Sequence, residues 1–88
     1  MPRYLIAYDI TLPRTRSRVV SRLERQGATR LQKSIFLLEG TSAALARLEA
    51  SLLAILEDTD SLLLIPCCDA CFAAARQSGP EPPLTLVA

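Results

Sequence analysis

Histidine is missing from this sequence, and glycine occurs only three times in 88 residues. The first absence removes the commonest general base near neutral pH. The second leaves no G-x-G-x-x-G, no P-loop and no G-x-S-x-G, so neither a nucleotide-cradling loop nor a nucleophile elbow is expected. Long apolar runs are absent as well. The apolar stretches "SLLAIL" and "SLLLIPCC" are separated by the acidic "EDTD", and none reaches the ~18 residues of a membrane span. No basic–apolar–small pattern opens the chain. These features predict a cytoplasmic protein without membrane contact, its thiols kept reduced.

What is present is enough for one packed domain. Half of the residues are hydrophobic and no tract is of low complexity, which points to a globular fold rather than disorder. A chain this short buries a modest share of its surface, so a partner covering more of it would add stability. The net charge of +1 conceals an asymmetry. Residues 1–40 carry eight basic and three acidic side chains, while residues 41–88 carry two and six. The amino-terminal half therefore offers a basic surface able to meet phosphate.

Three cysteines cluster in "CCDAC". Cys68 and Cys71 form one C-x-x-C pair, but zinc would need a fourth ligand from Asp69 or from another subunit. They read as small buried or half-buried side chains.

The pattern along the chain is strand, helix, extended segment, helix, strand, tail. Residues 3–9 predict a strand, within which "YLIAYDI" ends on a carboxylate, Asp9. Residues 12–26 predict a helix, with Pro13 in its first turn and Gly27 as terminator. Val19, Val20 and Leu23 form its apolar stripe. Arg14, Arg18, Arg22 and Arg25 fall in one roughly 80° sector away from that stripe. Arg16 projects to the apolar side, where a cation commonly has a specific partner, and Asp9 lies a short loop upstream. The common reading of such an arginine row is a solvated face.

Residues 28–40 are extended in character. Alternation places Arg30, Gln32, Ser34 and Phe36 on one face, opposite Leu31, Lys33, Ile35 and Leu37. This predicts either one long bent strand or two short ones, with a bulge near Lys33–Ser34. Gly40-Thr41-Ser42 offers a cap for a second helix reaching to about Glu57. Residues 58–60 make a turn, and "SLLLIP" reads as a strand covered on both faces. Residues 68–77 can form a short helix. The domain is expected to span 1–77. Residues 78–88 would be a proline-rich linker and a final strand, 84–88, that joins a sheet edge of its own or a neighbouring chain.

Two right-handed crossovers with both helices on one face give a ferredoxin-like βαββαβ sandwich of the α+β class, with an extra carboxy-terminal strand. Its second face is free of helices and asks for a homodimer. Asp9 then has two readings. It caps the first helix or pairs with Arg16; or a two-fold axis brings two copies together around a magnesium ion, since one carboxylate alone is a poor magnesium site. Arginines suit phosphate by their planar, multiple donors. Phe36 can stack on a base or simply pack.

"YLIAYDI", "RSRVVSRLERQGATRLQKSIFLLEG" and "DSLLLIPCCDAC" together resemble the CRISPR-associated Cas-two family of small nucleases. The resemblance runs from residue 3 to about residue 72. It rests most on Tyr8-Asp9-Ile10, on Arg16 to Val19 and on "RLQKSIF". It departs at Cys67, where a bulky apolar residue often sits, and in the tail.

The resemblance implies a homodimer with facing sheets and one Mg2+ shared by two copies of Asp9. It carries the positions around that site onto Tyr8, Arg16, Arg18, Arg30 and Phe36. It implies metal-dependent phosphodiester cleavage of RNA or DNA, and a role in spacer acquisition between copies of the Cas-one integrase. The arginine row adds Arg14 and Arg22 as nucleic-acid contacts. Two further readings stand beside this one: a non-catalytic DNA-binding scaffold bridging the integrase, and a toxin-type endoribonuclease on the same fold.

Overall fold

The computed structural model describes residues 1–79. The expected linker and final strand therefore lie outside the described residues, apart from Ser78 and Gly79. The order is β1 (Arg3–Asp9), α1 (Pro13–Arg25), β2 (Thr29–Gln32), β3 (Ile35–Glu39), α2 (Ser42–Leu53), β4 (Ser61–Cys67) and α3 (Asp69–Ala73). Among the described residues the sheet has four strands in the order β2-β3-β1-β4, each antiparallel to its neighbours. Strands β1 and β2 are thus parallel with β3 between them, and β3 and β4 are parallel with β1 between them. Two interlocked split βαβ units result, which is the ferredoxin-like α+β sandwich.

Each helix begins and ends where local chemistry dictates. Pro13 occupies the first turn of α1 after an extended Leu12, where its missing N–H is no loss. At the other end Gly27 takes a φ of 82°. Its N–H donates to the Glu24 carbonyl at 3.0 Å, and that of Ala28 to the Leu23 carbonyl at 3.1 Å. This paired closure satisfies two carbonyls that the helix leaves open. Helix α2 starts at Thr41, whose hydroxyl accepts from the Ala44 N–H at 3.1 Å. It ends at Leu53, a turn earlier than its apolar repeat predicts; Ile55 and Leu56 still pack on the core.

Alternation along β1 sorts its side chains. Tyr4, Ile6 and Tyr8 are buried beneath the helices, while Leu5, Ala7 and Asp9 point to the other face. Ile6, Val19, Leu23, Phe36 and Leu52 are the largest fully buried side chains. Burying an aliphatic or phenylalanine side chain of this kind stabilises by about 1.5–3 kcal/mol.

Four sequence expectations change. Residues 28–40 form two short strands, the second of the two expected alternatives, in a hairpin closed at Lys33–Ser34; the irregularity lies earlier than expected, between Arg30 and Gln32. Phe36 pairs with Arg30 and Ile35 with Gln32, leaving Leu31 as the extra residue. Gln32 consequently moves to the helix-free face, away from Arg30 and Phe36. Among the described residues the "SLLLIP" strand lies at the sheet edge and is covered on one face only, with Leu63 and Ile65 55% and 43% exposed. Cys68 and Cys71 are exposed rather than buried. Finally, the helix-free face is partly covered by the short α3, anchored by buried Phe72 beneath the Arg3 guanidinium at 5.2 Å.

Candidate nucleic-acid site

Asp9 is the last residue of β1, opposite Ser61 of β4. It is exposed, at the rim of a shallow hollow of about 390 Å³ lined by Ala7, Tyr8, Ser61, Leu62 and Leu63. Leu12 begins α1 without any side-chain cap, so Asp9 does not cap the helix. It makes no ion pair with Arg16 either; among the described residues only Arg3 and Asp69 form a salt bridge. The neighbouring Asp60 is committed to structure. Its carboxylate accepts from the Glu57 N–H at 2.9 Å and the Thr11 N–H at 3.3 Å, tying the loop before β4 to the loop after β1.

Among the described residues no three carboxylate, thiol or imidazole groups gather into a metal-ligand set. Asp9 is one exposed carboxylate with no ion pair among the described residues. A second carboxylate, with water and substrate phosphate, would complete an ordinary magnesium environment.

The remaining expected site residues lie elsewhere. Arg16, Arg30 and Lys33 line a basic cleft of about 450 Å³ with Tyr8, Ser17, Val20, Ser21, Glu24 and Ser34. The cleft lies between α1 and the hairpin. Tyr8 is buried against its floor, and its phenol donates to the Lys33 carbonyl at 3.0 Å. Burial pushes that phenol above its ordinary range, opposed by Arg30 and Arg16 beside it. The Tyr8 main chain holds the same turn, its N–H donating to the Ser34 carbonyl at 3.1 Å. Phe36 stacks near Tyr8 with centroids 6.3 Å apart, and the Arg30 guanidinium sits 5.2 Å from the Phe36 centroid. Phe36 is 0% exposed and presents no surface to a base.

The helix row divides further. Arg14 and Arg18 stand exposed on α1. Arg22 is half-buried and donates to the Ser51 hydroxyl of α2. With Arg25, Gln26 and Arg47 it lines a groove of about 390 Å³ between the two helices. Arg47 was invisible to the periodicity of α1, because its contribution depends on how α2 packs. The structure thus gathers Tyr8, Arg16, Arg30 and Phe36, and sets Asp9 apart on the other side of the sheet.

Residues 1–75 match the family model described as CRISPR associated protein Cas2. The chain belongs to the Cas2 family. Solved structures share the fold at low identity. A hypothetical protein from Thermus thermophilus superposes with a TM-score of 0.79 at 23% identity, covering 92% of this chain and 94% of its own. Streptococcus pyogenes Cas2 gives 0.73 at 22% identity, covering 88% and 99%. A chain of a partial Cas6-RT-Cas1–Cas2 complex gives 0.78 at 22% identity, covering 100% and 96%. No curated protein matches the sequence. Among the described residues no helix is long and apolar enough to cross a membrane.

Proposed function

We propose that this Cas2-family protein acts in CRISPR adaptation as a homodimer, joined through the helix-free sheet faces and bound to the Cas-one integrase. The observation carrying this reading is Asp9, an unpaired carboxylate at the rim of a face whose Leu63 and Ile65 are exposed. Two such faces in contact bury the leucines and isoleucines and bring two carboxylates toward one axis. Two carboxylates about 4 Å apart repel by about 4 kcal/mol at an effective dielectric of 20. A magnesium ion between the two copies of Asp9 would offset that repulsion and supply an activated water and charge neutralisation for phosphodiester cleavage of RNA or DNA. Arg14 and Arg18, exposed on α1, hold the phosphate backbone; Arg16 and Arg30 add their charge from the cleft.

Cleavage of RNA, single-stranded DNA and duplex DNA by wild type and Asp9→Asn tests the catalytic part. The expected outcome is loss of magnesium-dependent cleavage by about 100-fold or more, with duplex binding retained. Unchanged cleavage in pure protein would refute the role of Asp9.

The second reading, a scaffold that binds duplex DNA without cutting it, is favoured by the arginines of α1 and Arg47, none of which has a carboxylate partner among the described residues. On that reading Arg14→Ala and Arg18→Ala each weaken binding and lower the salt slope by about one, while Asp9→Asn changes neither.

A further inference from the structure

The "CCDAC" segment supplies no group to the proposed chemistry, although its α3 lies against the helix-free face, and it places two exposed thiols three residues apart. Cys68 is the residue that starts α3, and Cys71 lies one turn later. The Cys71 backbone N–H donates to the Cys68 sulfur at 3.3 Å. This contact holds the Cys68 sulfur against the Cys71 main chain, and side chains three apart share a helix face; closing an intrahelical disulfide then requires the two β-carbons within about 4.5 Å. Cys67 is placed differently. It belongs to β4, is half-buried on the sheet's helix-free side, and its thiol donates to the Cys68 carbonyl at 3.8 Å.

We propose that Cys68 and Cys71 form a thiol–disulfide exchange site that reacts with low-molecular-weight disulfides, Cys68 as the attacking thiol and Cys71 as the resolving one. The Cys68 thiolate attacks one sulfur of the small disulfide and forms a mixed disulfide, expelling one small thiolate, which takes up a proton. Cys71 then loses its proton and attacks the Cys68 sulfur, expelling the second small thiol. The protein dithiol is oxidised to a disulfide and one small disulfide is reduced to two thiols.

The asymmetry of the pair supports this division of roles. The hydrogen bond from the Cys71 backbone N–H holds the Cys68 thiol below the ordinary thiol range. The adjoining Cys68 sulfur holds that of Cys71 above it. A lowered and exposed thiol is the one that attacks.

The bond would close only the first turn of α3. The attachments of that helix to the sheet, Phe72 under Arg3 and the Arg3–Asp69 ion pair, involve neither sulfur. Exchange at this site therefore leaves the sandwich intact.

Reduced full-length protein treated with oxidised glutathione, then alkylated and mapped by mass spectrometry, tests the site. Wild type should give a Cys68–Cys71 disulfide with Cys67 alkylated. Cys71→Ser should trap glutathione on Cys68, at about tenfold the level in wild type. Cys68→Ser should abolish both products while keeping the helix cap, since serine caps equally well. Trapping on Cys67 to the same extent would overturn the assignment. So would equal mixed disulfide in wild type and Cys71→Ser, or thiols that react only after denaturation.

Discussion

Tyr8 and Asp9 are neighbours in the chain and opposites in their surroundings. On the Tyr8 side the protomer is finished. The phenol has the Lys33 carbonyl, Arg30 lies over Phe36 and Arg22 has Ser51. Among the described residues no buried side-chain nitrogen or oxygen lacks a partner. On the Asp9 side less is finished: α3 covers part of the face through Phe72 and Arg3, but among the described residues the carboxylate has no ion pair and Leu63 and Ile65 face outward from β4. A closed face gains from intrachain contacts and loses stability when they are removed. An open face gains from a second molecule, so changes there should be felt in assembly and chemistry. Each substitution below tests that division.

The largest stability effect belongs to the closed face. Phe36→Ala empties the centre of the core, and removal of a fully buried phenylalanine costs about 3–5 kcal/mol. Chemical denaturation should register this as a lower midpoint at unchanged slope. If Phe36 served chiefly to stack on bases, nucleic-acid affinity would fall with stability nearly intact, and the two faces would not be separable.

Leu63→Asp is the counterpart on the open face. The protomer loses little, since Leu63 is already 55% exposed. A dimer through this face would lose about 1 kcal/mol or more of apolar burial for each copy of the leucine, since only its exposed part remains to be buried, and would gain like charges beside Asp9. Sedimentation at micromolar concentration should show a shift from dimer to monomer with an unchanged circular dichroism spectrum. A dimer of unaltered mass would place the association surface elsewhere.

The division between the faces was half legible in the sequence. Alternation in "YLIAYDI" sends Asp9 to the side of Leu5 and Ala7, because strand geometry leaves no other choice. The helix bounds were legible from Pro13, Gly27 and Thr41, whose roles are local. The face of Gln32 was not, because it depends on a register shift at Leu31 that only the pairing of β2 with β3 fixes. The same holds for Arg16. Helical phase placed it toward the apolar side of α1, but in the fold it is exposed and lines the cleft above Tyr8 with Ser17, Ser21 and Glu24 instead of meeting Asp9. A family resemblance gathers such residues into one site; the sheet between them separates Tyr8, Arg16, Arg30 and Phe36 from the acid.

Tyr8→Phe makes the smallest change and probes the boundary most directly. It deletes one hydroxyl and leaves the buried ring, so the expected loss is the hydrogen bond to the Lys33 carbonyl, about 1 kcal/mol. The pH dependence carries a sign. Burial raises the Tyr8 phenol above its unfolded value of about 10, so between those two values the folded chain holds a proton that the unfolded chain has released. The stabilisation by Tyr8 is then complete below about pH 10 and declines as pH rises toward the folded value. The difference in unfolding free energy between wild type and Tyr8→Phe should accordingly be constant through neutral pH and shrink above about pH 10. Cleavage and duplex binding should be nearly unchanged, because the phenol faces the hairpin turn and not the carboxylate. A large loss of cleavage with no change in stability would mean that the hydroxyl works on the Asp9 side, and that the boundary drawn by β1 is not a functional one.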